Sequence, residues 1–362
     1  MDFIKSSSGL DALMLAEQLY NASNNKLCSG NYLQLCSDSI EDLRKSGIPF
    51  FSACSLSIFL ARYITIEQFD TLDISSLILI MSEKDLFKSI LEKLDSNKYF
   101  GSSLIWFAEQ NIPHWDKHIN LLKDMMENGY TETWKKDAEM FVEKKCEELN
   151  RSIWQYDVGK VLKYMAQMKN IPVPDVIRMY MSYYSPGFSF SLNSNMSLQN
   201  IHDLPNVKYL LRVIAHEFLH GFSSVELSNL YTAAINNDDY FRDVHTDNAW
   251  DSGDEEEFVK AAEHFIVYKS GLYSKEDILN IQDGLYGNSL PLTVIVFDLL
   301  VKQNEILTDY NKWLIDRFGD GSIRVGHLKE QCDRIISGYS DSLYKTMDKH
   351  DLYCKKIEAL QL

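Results

Sequence analysis

The sequence predicts a mainly α protein carrying a small β-sheet, an α+β fold. Apolar residues recur at three- and four-residue steps over most of the chain, one short stretch alternates like a strand, and a strongly apolar helix follows it. The 362 residues suffice for two packed units. A boundary near residue 170 is expected, separating a helical region over 1–170 from a second unit over 171–362.

In the first region "LDALMLAEQLY" (10–20), "DLFKSILEKL" (85–94) and "HINLLKDMMENG" (118–129) each place apolar residues along one helical face. The longer "TETWKKDAEMFVEKKCEELNRSIW" (131–154) opens on a threonine cap signal and carries a charged outer side. The texture changes at "IPVPDVIRMYMSYYSPGFSFSLN" from residue 171, which reads as two strands joined by a tight turn at Pro186-Gly187. Directly after it, "NIHDLPNVKYLLRVIAHEFLHGF" supplies cap-type residues, Pro205 and then a strongly apolar helix. No fixed-period repeat and no low-complexity segment interrupts this order.

A hydrophobic share of 45% excludes the disordered class. The net charge of −16 argues against nucleic acid as a partner, because phosphate contacts need a surplus of lysine and arginine. Residues 1–30 lack the pattern of a signal peptide. The longest apolar runs, "LILIM" and "PLTVIVFDLLV", fall short of the roughly 20 residues of a membrane span. The expected location is cytoplasmic, with no membrane partner. Six scattered cysteines without a C-x-x-C pair read as free, mostly buried thiols.

The chemistry concentrates in "VIAHEFLHGF", residues 213–222. Four residues apart on a helix, His216 and His220 share a face and can approach one tetrahedral Zn²⁺ together. Glu217 stands beside them, where it can take a proton from water. A chance H-E-x-x-H arises in about one or two per hundred chains of this histidine content, so context has to decide. The apolar Val213, Ile214, Ala215, Phe218, Leu219 and Phe222 bury the helix, and a metal would satisfy three polar groups at once. His114 and His118 in "PHWDKHIN" share the spacing but lack the glutamate, and read as a surface helix start.

A catalytic zinc needs a third protein ligand and an open position. Downstream, "EEEFVKAAEHFIVY" is helical by its period, with Phe258, Val259, Ala262, Phe265 and Ile266 on one face and small Ala261 and Ala262 suited to close packing. Glu256 is the first choice of ligand, since it shares an edge of that face with Glu263, which could orient a ligand histidine. Glu257 is the second choice and Glu263 the third, while Asp254 and Glu255 read as a solvated first turn. His245 and Asp247, on an expected loop, are further alternatives.

The "HEFLHGF" helix, followed by "AW" and then "EEEFVKA", resembles an uncharacterised family of bacterial zincin-like domains. In that family an H-E-F-x-H-x-F helix precedes an N-E-x-x-V-R-A helix. The similarity runs over about residues 80–320, with its specific part in the two helices. By the spacing from Trp250 the family's glutamate falls on Glu256, and Lys260 stands where the family has arginine. A wider similarity to the glutamate-zincin peptidases rests on the H-E-x-x-H and a later glutamate.

The resemblance implies a zincin-like catalytic domain over 171–362 and a Zn²⁺-dependent metallopeptidase with Glu217 as general base. Its partner would be a peptide or protein substrate, held by edge pairing on an alternating strand such as 187–192. Transition-state donors are sought among His245, His264, Tyr240 and Tyr286. The rival expectation is a zincin scaffold that serves as an interaction protein without peptidase activity.

Overall fold

The structure, a computed structural model, describes residues 3–21, 34–46, 53–94, 99–185, 189–203, 206–247, 255–281 and 290–337. It is mainly helical with one small mixed sheet of four strands, as the pattern predicts. The chain divides into two compact units, Met1–Gln155 with Pro174–Gly221, and Tyr156–Val173 with Phe222–Leu362. This departs from the expected boundary at 170. The reason lies in the sheet, which ties residues near 180 to the start of the chain.

In the first unit the strands are β1 (Ile4–Ser6), β2 (Arg178–Ser182), β3 (Phe190–Asn193) and β4 (Met196–Asn200), in spatial order β1-β2-β4-β3. β1 runs parallel to β2, with Ile4 opposite Met179, and β2 runs parallel to β4, with Tyr180 opposite Leu198. β3 and β4 form the antiparallel hairpin, in register Phe190 with Leu198. The expected pairing of two strands across Pro186-Gly187 is therefore corrected: β4 lies between β2 and β3, and the turn itself falls outside the described residues. Every residue of β4 is buried, which requires cover on both faces.

Polar side chains pin this sheet to the helices around it. The Asn150 amide oxygen accepts from the Phe3 and Ile4 amides at 3.0 and 3.1 Å, and its NH₂ donates to the Ile4 carbonyl at 2.8 Å. Lys5 and Arg178 converge on Asp70 at 2.9 and 3.0 Å. The helix Ser8–Asn21 is buried from Gly9 to Leu19. Gly9 is needed there: its amide bonds the Leu72 carbonyl at 2.9 Å, and a Cβ would meet the Leu72 side chain at 2.6 Å. Asp11 on this helix accepts from Ser182, from the Trp134 indole at 2.8 Å and from the Tyr183 amide at 3.0 Å. Burial lifts its carboxyl to about 6 against the lowering effect of those donors. The 131–154 stretch starts from Gly129, at φ +83°, rather than from the threonine, and Lys135–Glu139 forms a π-turn within it.

The second unit is built around the helix Glu256–Lys269, buried from Glu257 to Val267. The helix Pro291–Gln303 packs along it, the close partner that Ala261 and Ala262 call for. The Thr293 hydroxyl donates to the Glu257 carbonyl at 3.0 Å and the Tyr310 hydroxyl to the Phe258 carbonyl at 2.8 Å. The helix Val158–Met168 also packs on it, and Lys160 reaches the Ser270 carbonyl at 3.3 Å. No helix among the described residues is long and apolar enough to cross a membrane.

Candidate metal centre

The helix Val207–Leu219 carries the first two candidate ligands. Asn206 caps it by accepting from the Tyr209 amide at 2.9 Å, an interaction worth about 1 kcal/mol. Its apolar residues Leu210, Leu211, Ile214, Ala215 and Phe218 are fully buried and pack toward β3 and β4. The helix ends at Leu219. His220 has left it, with φ −50° and ψ 149°, and Gly221 follows at φ +78°, a conformation that favours glycine.

His220 thus sits in an exit turn and not on the helix, yet its ring still meets that of His216. The two Nε2 atoms lie 3.3 Å apart, with ring centroids at 5.0 Å and planes at 79°. Two imidazole nitrogens at about 2.0–2.1 Å from one tetrahedral zinc would lie roughly 3.3–3.4 Å apart, so this pair fits the ion. His216 and His220 belong to the first unit, and Glu256, the candidate third ligand, opens the helix Glu256–Lys269 of the second. Two imidazoles and one carboxylate are a borderline donor set suited to Zn²⁺.

Glu256 opens its helix and is held at Oε1 by the Lys260 ammonium at 2.6 Å, both side chains being largely buried. The ion pair thereby fixes one carboxylate oxygen. The neighbouring Glu255 is not the solvated residue expected from the charge run. It is buried and accepts from the Ser223 amide at 2.8 Å.

Glu257, the second choice of ligand, is committed elsewhere. Its Oε2 accepts from the Leu292 and Thr293 amides at 2.7 and 3.2 Å, capping the helix Pro291–Gln303, and its Oε1 accepts from the Tyr231 hydroxyl at 3.2 Å. Burial pushes this carboxyl up to about 8, opposed by those donors. It is corrected from alternative ligand to helix anchor. Glu263 is buried, with its Oε1 4.0 Å from His264 Nε2.

Glu217, the candidate base, is only 5% exposed. Its surroundings include Cys54 and Glu17, which no local sequence signal connected to it. Burial, with the charges of Glu217 and Glu17, raises the Cys54 thiol well above its ordinary value. Glu17 caps the helix Ala53–Leu60 by accepting from the Ala53 amide at 3.0 Å, and burial lifts it to about 7.

Of the remaining candidates, His245 and Asp247 lie on the helix Asp239–Asp247 and not on a loop, and their side chains fall outside the described residues, as does Tyr286. Tyr240 is half-buried with Lys329 5.9 Å from its ring centroid. His264 is buried and meets Phe297 edge-on at 6.2 Å. The second histidine pair also departs from expectation. His118 is buried, with its Nε2–H donating to the Asn111 amide oxygen at 3.1 Å. No protein-family model matches the chain, and no curated protein or solved structure matches it.

Proposed function

We propose that the protein is a zinc-dependent hydrolase, a metallopeptidase of the glutamate-zincin kind, in which His216, His220 and Glu256 hold the ion. The observation that carries this reading is the 3.3 Å approach of the His216 and His220 Nε2 atoms. When bound, zinc supplies a Lewis acid that polarises a scissile carbonyl and makes water more acidic. Glu217 accepts the proton from that water and returns it to the leaving amine, a role its low exposure favours because little bulk water competes for the carboxylate. Lys260 fixes one oxygen of Glu256 and so orients the other. The strand β3 lies at the sheet edge, which supports pairing with an extended peptide as substrate.

Elemental analysis of the purified chain tests the ligand set, with about one zinc per chain as the expected result. A wild type without stoichiometric zinc overturns the reading. Glu217→Gln is expected to retain zinc and to lose hydrolysis of unstructured peptides by roughly 10²- to 10⁴-fold. Zinc held by a wild type that cleaves no peptide or amide would favour the interaction-protein alternative.

A further inference from the structure

A second candidate site lies in the second unit, a cleft of about 310 Å³ between the helices Pro291–Gln303 and Leu328–Ser337 and the turn that contains Gly321. Its walls include Asp298, Lys302, Ser322, Arg324, Gln331 and Arg334.

The turn is locked before any ligand arrives. Buried Gln331 accepts from the Arg324 amide at 3.1 Å and donates to the Ser322 carbonyl at 2.6 Å. Asp320 accepts from the Ser322 amide at 2.8 Å and pairs with Arg317 at 3.0 Å, and Gly321 takes the φ of +75° that closes the bend. Arg324 is therefore projected from a fixed backbone. Preorganisation of this kind lowers the ordering cost of binding.

Charge in the cleft is one-sided. Lys302 is neutralised by Asp298 at 2.6 Å. The guanidinium groups of Arg324 and Arg334 make no ion pair and no hydrogen bond among the described residues. Two uncompensated cations on one small cleft stand out in a chain of net charge −16. Each guanidinium presents a planar fork of donors matched to oxyanions. One carboxylate would satisfy a single fork. A phosphate brings three or more acceptor oxygens and about −1.5 to −2 charges at neutral pH, enough for both forks.

We infer that this cleft binds a small molecule through a phosphate group, independently of the metal centre. Calorimetric titration of the full chain with inorganic phosphate at low salt tests it. Saturable binding is expected, weakened about tenfold or more in Arg324→Gln and in Arg334→Gln. It should be unchanged in Lys312→Gln, whose side chain pairs with Asp316 away from the cleft. His216→Ala is titrated in parallel, and binding that persists there separates the cleft from phosphate bound at the proposed zinc. No saturable binding in the wild type, or wild-type affinity retained in both arginine variants, overturns the assignment.

Discussion

His216 and His220 share their four-residue spacing with His114 and His118, and the two pairs meet different chemistry. In the helix Trp115–Glu127, His118 is buried against Trp115, with ring centroids 5.8 Å apart, and spends its Nε2–H on Asn111. Its pair-mate His114 is half-buried and precedes the helix, at the end of the 3-10 turn Ile112–His114. In the first pair the helix stops one residue early, the exit turn swings His220, and the two Nε2 atoms converge. Spacing alone therefore did not separate a zinc-type pair from a packed histidine. What each nitrogen faces does.

The sharpest way to break this comparison is to substitute one member of each pair. His216→Ala should lower zinc affinity by at least about 10³-fold, since a structural or catalytic ion loses one of three protein ligands. His118→Gln should leave zinc content unchanged. Competition with a fluorescent chelator measures both, and loss of zinc in His118→Gln would erase the distinction.

The adjacent glutamates give the next largest contrast. Glu256→Gln should weaken zinc binding roughly 10- to 100-fold, whereas Glu257→Gln should leave it within about twofold and lower thermal stability instead. The reverse pattern would exchange their roles.

The smallest effect is a pH dependence confined to the second pair. Burial, with the nearby His114, lowers His118 from 6.5 to about 4. The folded state holds this ring neutral, so its contribution to stability is complete above pH 6.5 and is lost as pH falls toward 4. Denaturant titrations should show the wild type's advantage over His118→Gln shrinking across that window. A constant difference from pH 7 to pH 4 would contradict a buried neutral imidazole.

The motif helix was legible because its signals are local: Asn206 at the cap, an apolar period, and a glycine just past the end. Glu256 was singled out as a candidate through its helical edge and the resemblance to zincin-like domains. The residues that were misread depend on distant partners. Glu255 looked like a first-turn charge because its donor, Ser223, lies 32 positions away in the chain. Glu257 gave no hint of capping a helix that begins beyond residue 290. β4 escaped notice because "MSLQN" has neither β-branched residues nor a flanking turn of recognised type, and it is a strand by virtue of its neighbours on both sides. The domain boundary failed for the same reason, as three residues of β1 pull the sheet into the helical half.

That short first strand also sets a timetable for biogenesis. Ile4 finds Met179 only after about 175 further residues have been made, and β4 must then dock on the other side. At roughly 5–20 residues per second, the ribosome leaves Ile4–Ser6 without its sheet partner for about 10–35 s. The non-local pairing makes assembly of the first unit a late event, paid for in loop-closure entropy before any sheet hydrogen bond forms. The apolar helix Ser8–Asn21 is spared most of that wait, because the helices Ala53–Leu60, Ile74–Met81 and Trp115–Glu127 that pack on it emerge well before β2.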